Sequence, residues 1–226
     1  MTAHPPCDWL AIANEVSLDS MTLFECQVAQ GGSRRIAGVD EAGRGPLAGP
    51  IVAGAVILGE PVAGVDDSKR LTERRREELF ATLNSGPHAT GVAIVENDII
   101  DTLGIQTANY MAMARALGQL EPPADFALVD GFTIRGCTTP QLRIVKGDQR
   151  SQSIAAASIL AKVTRDRIMY ELDAEFPEYG FARHKGYATR EHLLAIDSCG
   201  PCRVHRKSFA PMAPTLETLQ LFQDTG

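Results

Sequence analysis

Residues 36–50 read IAGVDEAGRGPLAGP. The run begins as a strand, apolar at Ile36, Ala37 and Val39, and stops at two adjacent carboxylates, Asp40 and Glu41. Gly43, Arg44, Gly45, Pro46, Gly49 and Pro50 follow at once. Like charges side by side repel, and the repulsion costs stability unless a cation bridges them. Glycines let another molecule approach the backbone closely. A strand ending on an acid pair beside such a loop predicts a divalent-metal site facing a phosphate-bearing ligand. Asp40 and Glu41 are its first candidates. For an isolated Asp-Glu pair the plain alternative is a solvated turn. A dinucleotide-binding loop fits poorly, because the spacing is G-x-G-x-x-x-G and Pro46 and Pro50 interrupt the helix that would receive a pyrophosphate. No lysine stands in P-loop position either.

Two more apolar runs end the same way. Phe126–Val129 leads into Asp130 and Gly131, and Leu142–Val145 leads into Lys146, Gly147 and Asp148. Taken singly, each acid reads as a turn residue. Together with Glu41 they supply four oxygen-bearing groups of the kind that Mg²⁺ or Mn²⁺ prefers. Active sites of open sheets gather at strand ends, which gives the coincidence meaning.

The segment DEAGRGPLAGP resembles the signature of the type 2 ribonuclease H (ribonuclease HII) family, and later segments follow in that family's order. They are DSKRL at 67–71, LVDG at 128–131, IVKGD at 144–148, AAASILAKVTRD at 155–166, HKGY at 184–187 and VHRKSF at 204–209. The resemblance spans roughly residues 34–210. It implies an α/β protein with the ribonuclease H-like mixed five-stranded sheet, flanked by helices and extended by extra C-terminal helices. Residues 1–33 would form an N-terminal helical extension, 34–210 the catalytic domain and 211–226 a C-terminal helix or tail.

The resemblance also implies an activity: hydrolysis of the RNA strand of RNA/DNA hybrids, and nicking 5′ to ribonucleotides embedded in duplex DNA. Two divalent cations, Mn²⁺ or Mg²⁺, would be held by Asp40, Glu41, Asp130 and Asp148, with Asp40 bridging them. The first and fourth strands would be adjacent, setting Asp40 beside Asp130, and Asp148 would close the cluster from the edge of the following helix. Strand alternation sends Asp40 and Glu41 to opposite faces, so a backbone bend is expected at Glu41, eased by Gly43. By the same resemblance Gly43, Arg44 and Gly45 lie near the 2′-hydroxyl that separates RNA from DNA. Tyr187 would stack on the neighbouring deoxyribose. Ser68, Lys69, Lys162 and Arg165 are expected to contact phosphates, the last two sharing a helix face.

The rest of the sequence sets limits. At 226 residues, 44% hydrophobic and 22% charged, the chain is expected to form one domain with a small appendage. The longest apolar stretch, Ile51–Leu58, is too short to span a membrane. The N-terminus lacks a basic flank and carries Asp8 and Glu15, unlike a secretory signal. A soluble cytoplasmic monomer is expected. Net charge is −6, yet residues 141–210 carry 12 Lys+Arg against 8 Asp+Glu. The basic excess therefore sits beside HKGY and HRKSF. Such weak overall basicity suggests that metal ions neutralise much of a bound phosphate backbone. The Cys199-Gly-Pro-Cys202 motif has thioredoxin lettering but the wrong context, because it closes a helix instead of opening one. A zinc site from Cys199, Cys202 and His205 is a lesser alternative to five ordinary thiols. His184, His192 and His205 have no acid partner in sequence and read as structural or substrate-facing.

Periodicity predicts strands near 35–40, 51–58, 91–95, 126–130 and 141–146. Helices are expected over Trp9–Gln30, Leu71–Asn84 after a Ser68 start signal, Asp98–Leu120 broken at Gly104, and Ser151–Phe176. Two more are expected over Thr189–Ile196 and Pro214–Phe222.

Overall fold

The computed structural model describes residues 5–13, 20–65, 68 and 71–212. Five strands make one mixed sheet: β1 (Ile36–Ala42), β2 (Ile51–Ile57), β3 (Ala89–Val95), β4 (Phe126–Asp130) and β5 (Gln141–Ile144), ordered β3-β2-β1-β4-β5. β1 runs antiparallel to β2, with Ala37 opposite Ile57 and Asp40 opposite Gly54. It runs parallel to β4, with Ile36 opposite Phe126 and Val39 opposite Val129. The first and fourth strands are therefore neighbours at the sheet centre, as the resemblance implied.

Helices cover both faces, which is why β2 is apolar at every position rather than alternating. They are α1 (Trp9–Ile12), α2 (Leu23–Gln30), α3 (Glu73–Ser85), α4 (Asn97–Leu103), α5 (Ile105–Gly118), α6 (Gln152–Glu175), α7 (Phe181–His184) and α8 (Arg190–Cys199). On one face Ile36, Val56 and Leu128 pack with Ile154, Ala157 and Leu160 of α6. On the other, Val39, Ala53 and Val129 pack with Ala108, Ala112 and Ala116 of α5. α6 lies directly on the sheet. A Cβ on Gly38 would stand 2.0 Å from the Ser153 carbonyl carbon, and one on Gly54 2.4 Å from the Ala157 oxygen. The alanines at 155–157 leave room for that approach.

Several expectations shift. α3 starts on Thr72, whose hydroxyl accepts the Arg75 N–H, and not on Ser68. Within Trp9–Gln30 the described residues form two helices, and Val16 and Leu18 lie outside the described residues. Trp9, Cys26 and Ala29 join the same core as β1 and α6. β5 ends at Ile144, since Lys146 turns left-handed at φ 55°. Asp148 sits in a 3₁₀ turn, Gly147–Gln149, ahead of α6 and not on that helix's edge. Gly104 (φ 76°) does divide α4 from α5, and Ser151 caps α6. The helix expected over Pro214–Phe222 falls outside the described residues. No described helix is long and apolar enough to cross a membrane.

Candidate active site

The carboxyl ends of β1 and β4 open into a cleft of about 380 Å³ lined by Asp40, Glu41 and Asp130. β1 does not bend before Glu41, contrary to expectation, but continues to Ala42, pairing Glu41 with Ala53. Glu41 accordingly turns toward the α5 side of the sheet, while Asp40 stays on the α6 side. Both reach the cleft because they stand at its rim. Asp40 is buried, and its Oδ1 accepts the Glu41 N–H at 2.7 Å. Asp130 Oδ1 accepts the Gly147 N–H at 2.6 Å, which fastens the end of β4 to the turn carrying Asp148. Asp148 is buried and is not among the residues that line the cleft.

The electrostatics follow from this crowding. Burial lifts the Asp40 carboxyl well above the usual carboxylate range, and the charges of Glu41, Asp130 and Asp148 lift it further. Glu41 is pushed up to about 7, first by burial and then by Asp130, against the pull of Arg44. Its Oε2 is buried beside the equally buried Asn109 amide, which pulls the carboxyl back down without forming a well-aligned hydrogen bond. Among the described residues no three acid, imidazole or thiol groups enclose a ready-made metal cage. An open oxygen-lined site is the form that suits Mg²⁺, which keeps several waters and takes one or two carboxylates plus substrate phosphate.

The opposite wall is the glycine loop. Gly43, Arg44 and Gly45 line the cleft. The Arg44 guanidinium reaches Gln106 Oε1 at 3.1 Å and lies 4.4 Å over the Phe132 ring. Gly43 adopts φ 97°, and a Cβ there would stand 2.1 Å from Arg165 Nε. Two buried guanidiniums hold the loop from beneath. Arg206 donates to the carbonyls of Gly43, Arg44, Gly49 and Pro50. Arg165 donates to Pro50, Ala48 and Lys185. Burial lowers Arg165 to about 10 and Arg206 to about 9.

Arg165 is thus committed to backbone and 1% exposed, so the phosphate contact expected of it does not stand. Lys162 does reach the cleft, its Nζ 2.5 Å from Asp166 Oδ1. Ser68 lines the cleft too, whereas Lys69 lies outside the described residues. Tyr187 is 47% exposed, and Gly45 faces its ring: a Cβ there would sit 3.7 Å from Cε1. Arg206, Ser158 and Asn109 were not foreseen. Arg206 stood inside the quoted HRKSF segment, but only its burial separates it from the neighbouring surface cations.

The three histidines are structural. His184 and His192 stack at 4.5 Å, and His192 Nε2 meets His205 Nε2 at 3.0 Å, all buried against Tyr179 and Phe181. Burial lowers His205 to about 4 and holds His192 below the usual imidazole range. Cys202 Sγ lies 3.1 Å from His205 Nδ1, but Cys199 is exposed at the helix end, and these residues do not form a metal group.

The sequence and the fold that carry this cleft both match known proteins. A model of the family described as Ribonuclease HII matches residues 37–212. The chain belongs to the ribonuclease HII family. It is 50% identical over 202 residues to the ribonuclease HII of Geobacter metallireducens, covering 88% of this chain and 95% of that one. It is 52% identical over 200 residues to that of Geobacillus thermodenitrificans, covering 88% and 77%. Among solved structures, the ribonuclease HII in the PCNA:RNase HII complex from Archaeoglobus fulgidus superposes with TM-score 0.67 at 27% identity, covering 81% of this chain and 98% of that one. Ribonuclease H2 of Pyrococcus horikoshii gives 0.65 at 25%, covering 83% and 98%. As a ribonuclease HII family member, the chain is a ribonuclease H endonuclease, a hydrolase of phosphodiester bonds.

Proposed function

We propose that the enzyme cuts the RNA strand of RNA/DNA hybrids and nicks 5′ to single ribonucleotides in duplex DNA, leaving 3′-hydroxyl and 5′-phosphate ends. Asp40, Glu41, Asp130 and Asp148 would hold two divalent cations, Mg²⁺ or Mn²⁺, with Asp40 shared between them. The observation that carries this reading is the crowding of four carboxylates at two adjacent strand ends and the turn fastened to them, with Asp40 and Glu41 both displaced toward protonation. The residues suit the ions: the donors are all oxygens, and Glu41 Oε2 is buried with only the Asn109 amide beside it. Bound there, such ions supply a water of lowered pKa and Lewis-acid stabilisation of the leaving oxygen.

The chain's own groups do the remaining work. Asp40, between Glu41 and Asp130, is the carboxylate best placed to be shared. Arg206 holds the Gly43 and Arg44 carbonyls and Arg165 those of Ala48 and Pro50, so the loop backbone can test for a 2′-hydroxyl without reorganising. Tyr187 offers an exposed ring across from that loop for the sugar beyond the scissile bond. Lys162, steered by Asp166, and Ser68 present cleft-facing donors to the phosphates.

The test is cleavage of a duplex bearing one ribonucleotide by wild type and Asp40→Asn, each with Mg²⁺ or Mn²⁺ and with chelator. Wild type should nick only with metal. Asp40→Asn should lose several orders of magnitude in rate while binding hybrid in metal-free buffer as well or better, because a carboxylate repelling phosphate is gone. Near-normal nicking by Asp40→Asn would overturn the ligand assignment. An intact duplex with metal-replete wild type would overturn the activity on single ribonucleotides.

A further inference from the structure

The matched family region starts at residue 37, yet the segment before it reaches the acids. The first N–H groups of a helix have no partner within the helix and must be met from outside. In α6 each is accounted for. Gln152 N–H donates to the Met21 carbonyl at 2.7 Å, Ser153 N–H to Glu25 Oε1 at 2.9 Å, and Ile154 N–H to Ser151 Oγ at 3.2 Å. Ala155 N–H then makes the helix's own bond to the Ser151 carbonyl. Two of these acceptors come from the N-terminal segment, on α2 and just before it.

Glu25 is fully buried, and its Oε1 also accepts the Ser151 hydroxyl at 2.7 Å. Ser151 N–H in turn donates to the Gly147 carbonyl at 2.8 Å, and Gly147 N–H to Asp130 Oδ1 at 2.6 Å. An unbroken series of hydrogen bonds therefore runs from Glu25 through Ser151 and Gly147 to Asp130, with Asp148 inside the turn it braces. Holding α2 to the core would not need a buried carboxylate, since Cys26 and Ala29 already pack there.

We propose that Glu25, assisted by the Met21 carbonyl, is a positioning residue for the metal-holding acids Asp130 and Asp148, so that the N-terminal segment is part of the active site. The inference rests on the ligand reading above. Partners that orient metal ligands change metal affinity by about 10–100-fold when removed. Glu25→Ala should raise the Mn²⁺ dissociation constant by about tenfold in calorimetry and raise the Mn²⁺ needed for half-maximal cleavage in parallel. Glu25→Gln, which keeps an acceptor for Ser153 N–H and the Ser151 hydroxyl, should restore both. Ser151→Ala, which removes one bond of the series and keeps Glu25, should weaken Mn²⁺ binding in the same direction if Glu25→Ala does not fold. Leu79→Ala, a core change in α3 with no link to the series, should lower the melting temperature and leave Mn²⁺ affinity alone.

Asp148→Asn, measured alongside, separates the two levels. If it weakens Mn²⁺ binding while Glu25→Ala and Ser151→Ala bind as wild type, the positioning role is overturned and the ligand reading stands. If Asp148→Asn itself binds as wild type, the ligand reading fails and takes the inference with it. Equal weakening by Leu79→Ala would reduce the effect to general loosening and also overturn the proposal.

Discussion

Gly38→Ala should be among the most damaging single-methyl additions in this chain. Its Cβ would stand 2.0 Å from the Ser153 carbonyl carbon, 2.2 Å from that oxygen and 2.3 Å from Ile154 N. Ordinary contact between such atoms is about 3.5 Å, so the first turn of α6 must retreat by about 1.5 Å. The obstacle is backbone, which cannot swing aside as a side chain would. Overpacking of a dense core costs about 1–3 kcal/mol, and a clash with backbone belongs at the top of that range. Losing a glycine from the unfolded chain returns only about 0.4–1 kcal/mol. The expected net loss is therefore about 2–3 kcal/mol, a large part of a stability of about 5–15 kcal/mol. Gly118→Ala is the control. It lies at the end of α5 with nothing within 4 Å of the new Cβ, so it should be neutral or stabilising by up to about 1 kcal/mol.

Urea unfolding of both variants measures the first effect, and cleavage per folded molecule measures the second. The turn that must retreat is the one joined to Gly147 and Asp130, and a 1 Å misplacement can cost about 10²-fold in rate. Gly38→Ala should show that loss and Gly118→Ala should not. A Gly38→Ala variant within about 0.5 kcal/mol of wild type would refute the packing argument. One that is destabilised yet fully active per folded molecule would refute the coupling of α6 to the acids.

Two further predictions concern the cleft. Tyr187→Ala removes an exposed ring and no carboxylate; loss of a stacking partner is worth about 1–3 kcal/mol, so cleavage at a single ribonucleotide should fall roughly 10–100-fold with Mn²⁺ affinity unchanged. A lower melting temperature with unchanged specific activity would make the tyrosine a packing residue only. Glu41 is raised from 4.5 to about 7 in the folded protein, so without metal its contribution to stability is fully present below pH 4.5 and is lost as pH rises through 7. The stability of wild type relative to Glu41→Gln should fall across that window in chelator and recover with Mg²⁺; a pH-independent difference would contradict the shift.

What was legible in the sequence was local. Asp40, Glu41 and Asp130, which line the cleft, could be picked out as candidates because a strand, its terminal acid and a glycine exit are all encoded within a few residues. Sequence spacing also placed Lys162 and Arg165 on one face of α6, and there it misled. Periodicity says which residues share a face, not what that face meets. Arg165 meets the carbonyls of Ala48 and Pro50, contributed by a loop more than a hundred residues earlier. The expected bend at Glu41 failed for a related reason: the register with β2, which carries β1 on to Ala42, is a property of two strands and is invisible in one. Ser68 was a reasonable helix start by residue type, but Thr72 has the extended backbone and the aligned hydroxyl that a cap requires.

The same distinction explains why two buried cations stand behind an acidic cleft. No acid among the described residues pairs with Arg165 or Arg206, and burying a charge costs several kcal/mol. If stability were all that mattered, apolar side chains of similar volume would serve as well or better. What they could not supply is a set of diverging donors that fix the carbonyls of Gly43, Arg44, Ala48, Gly49 and Pro50 at once. A glycine-rich loop is the segment of a fold with the most conformational freedom to lose. It must nonetheless present one fixed surface to a sugar if a single hydroxyl is to decide the outcome. The guanidiniums resolve that conflict from beneath the loop, leaving the glycines free of side chains on the face that the proposed function gives to the substrate.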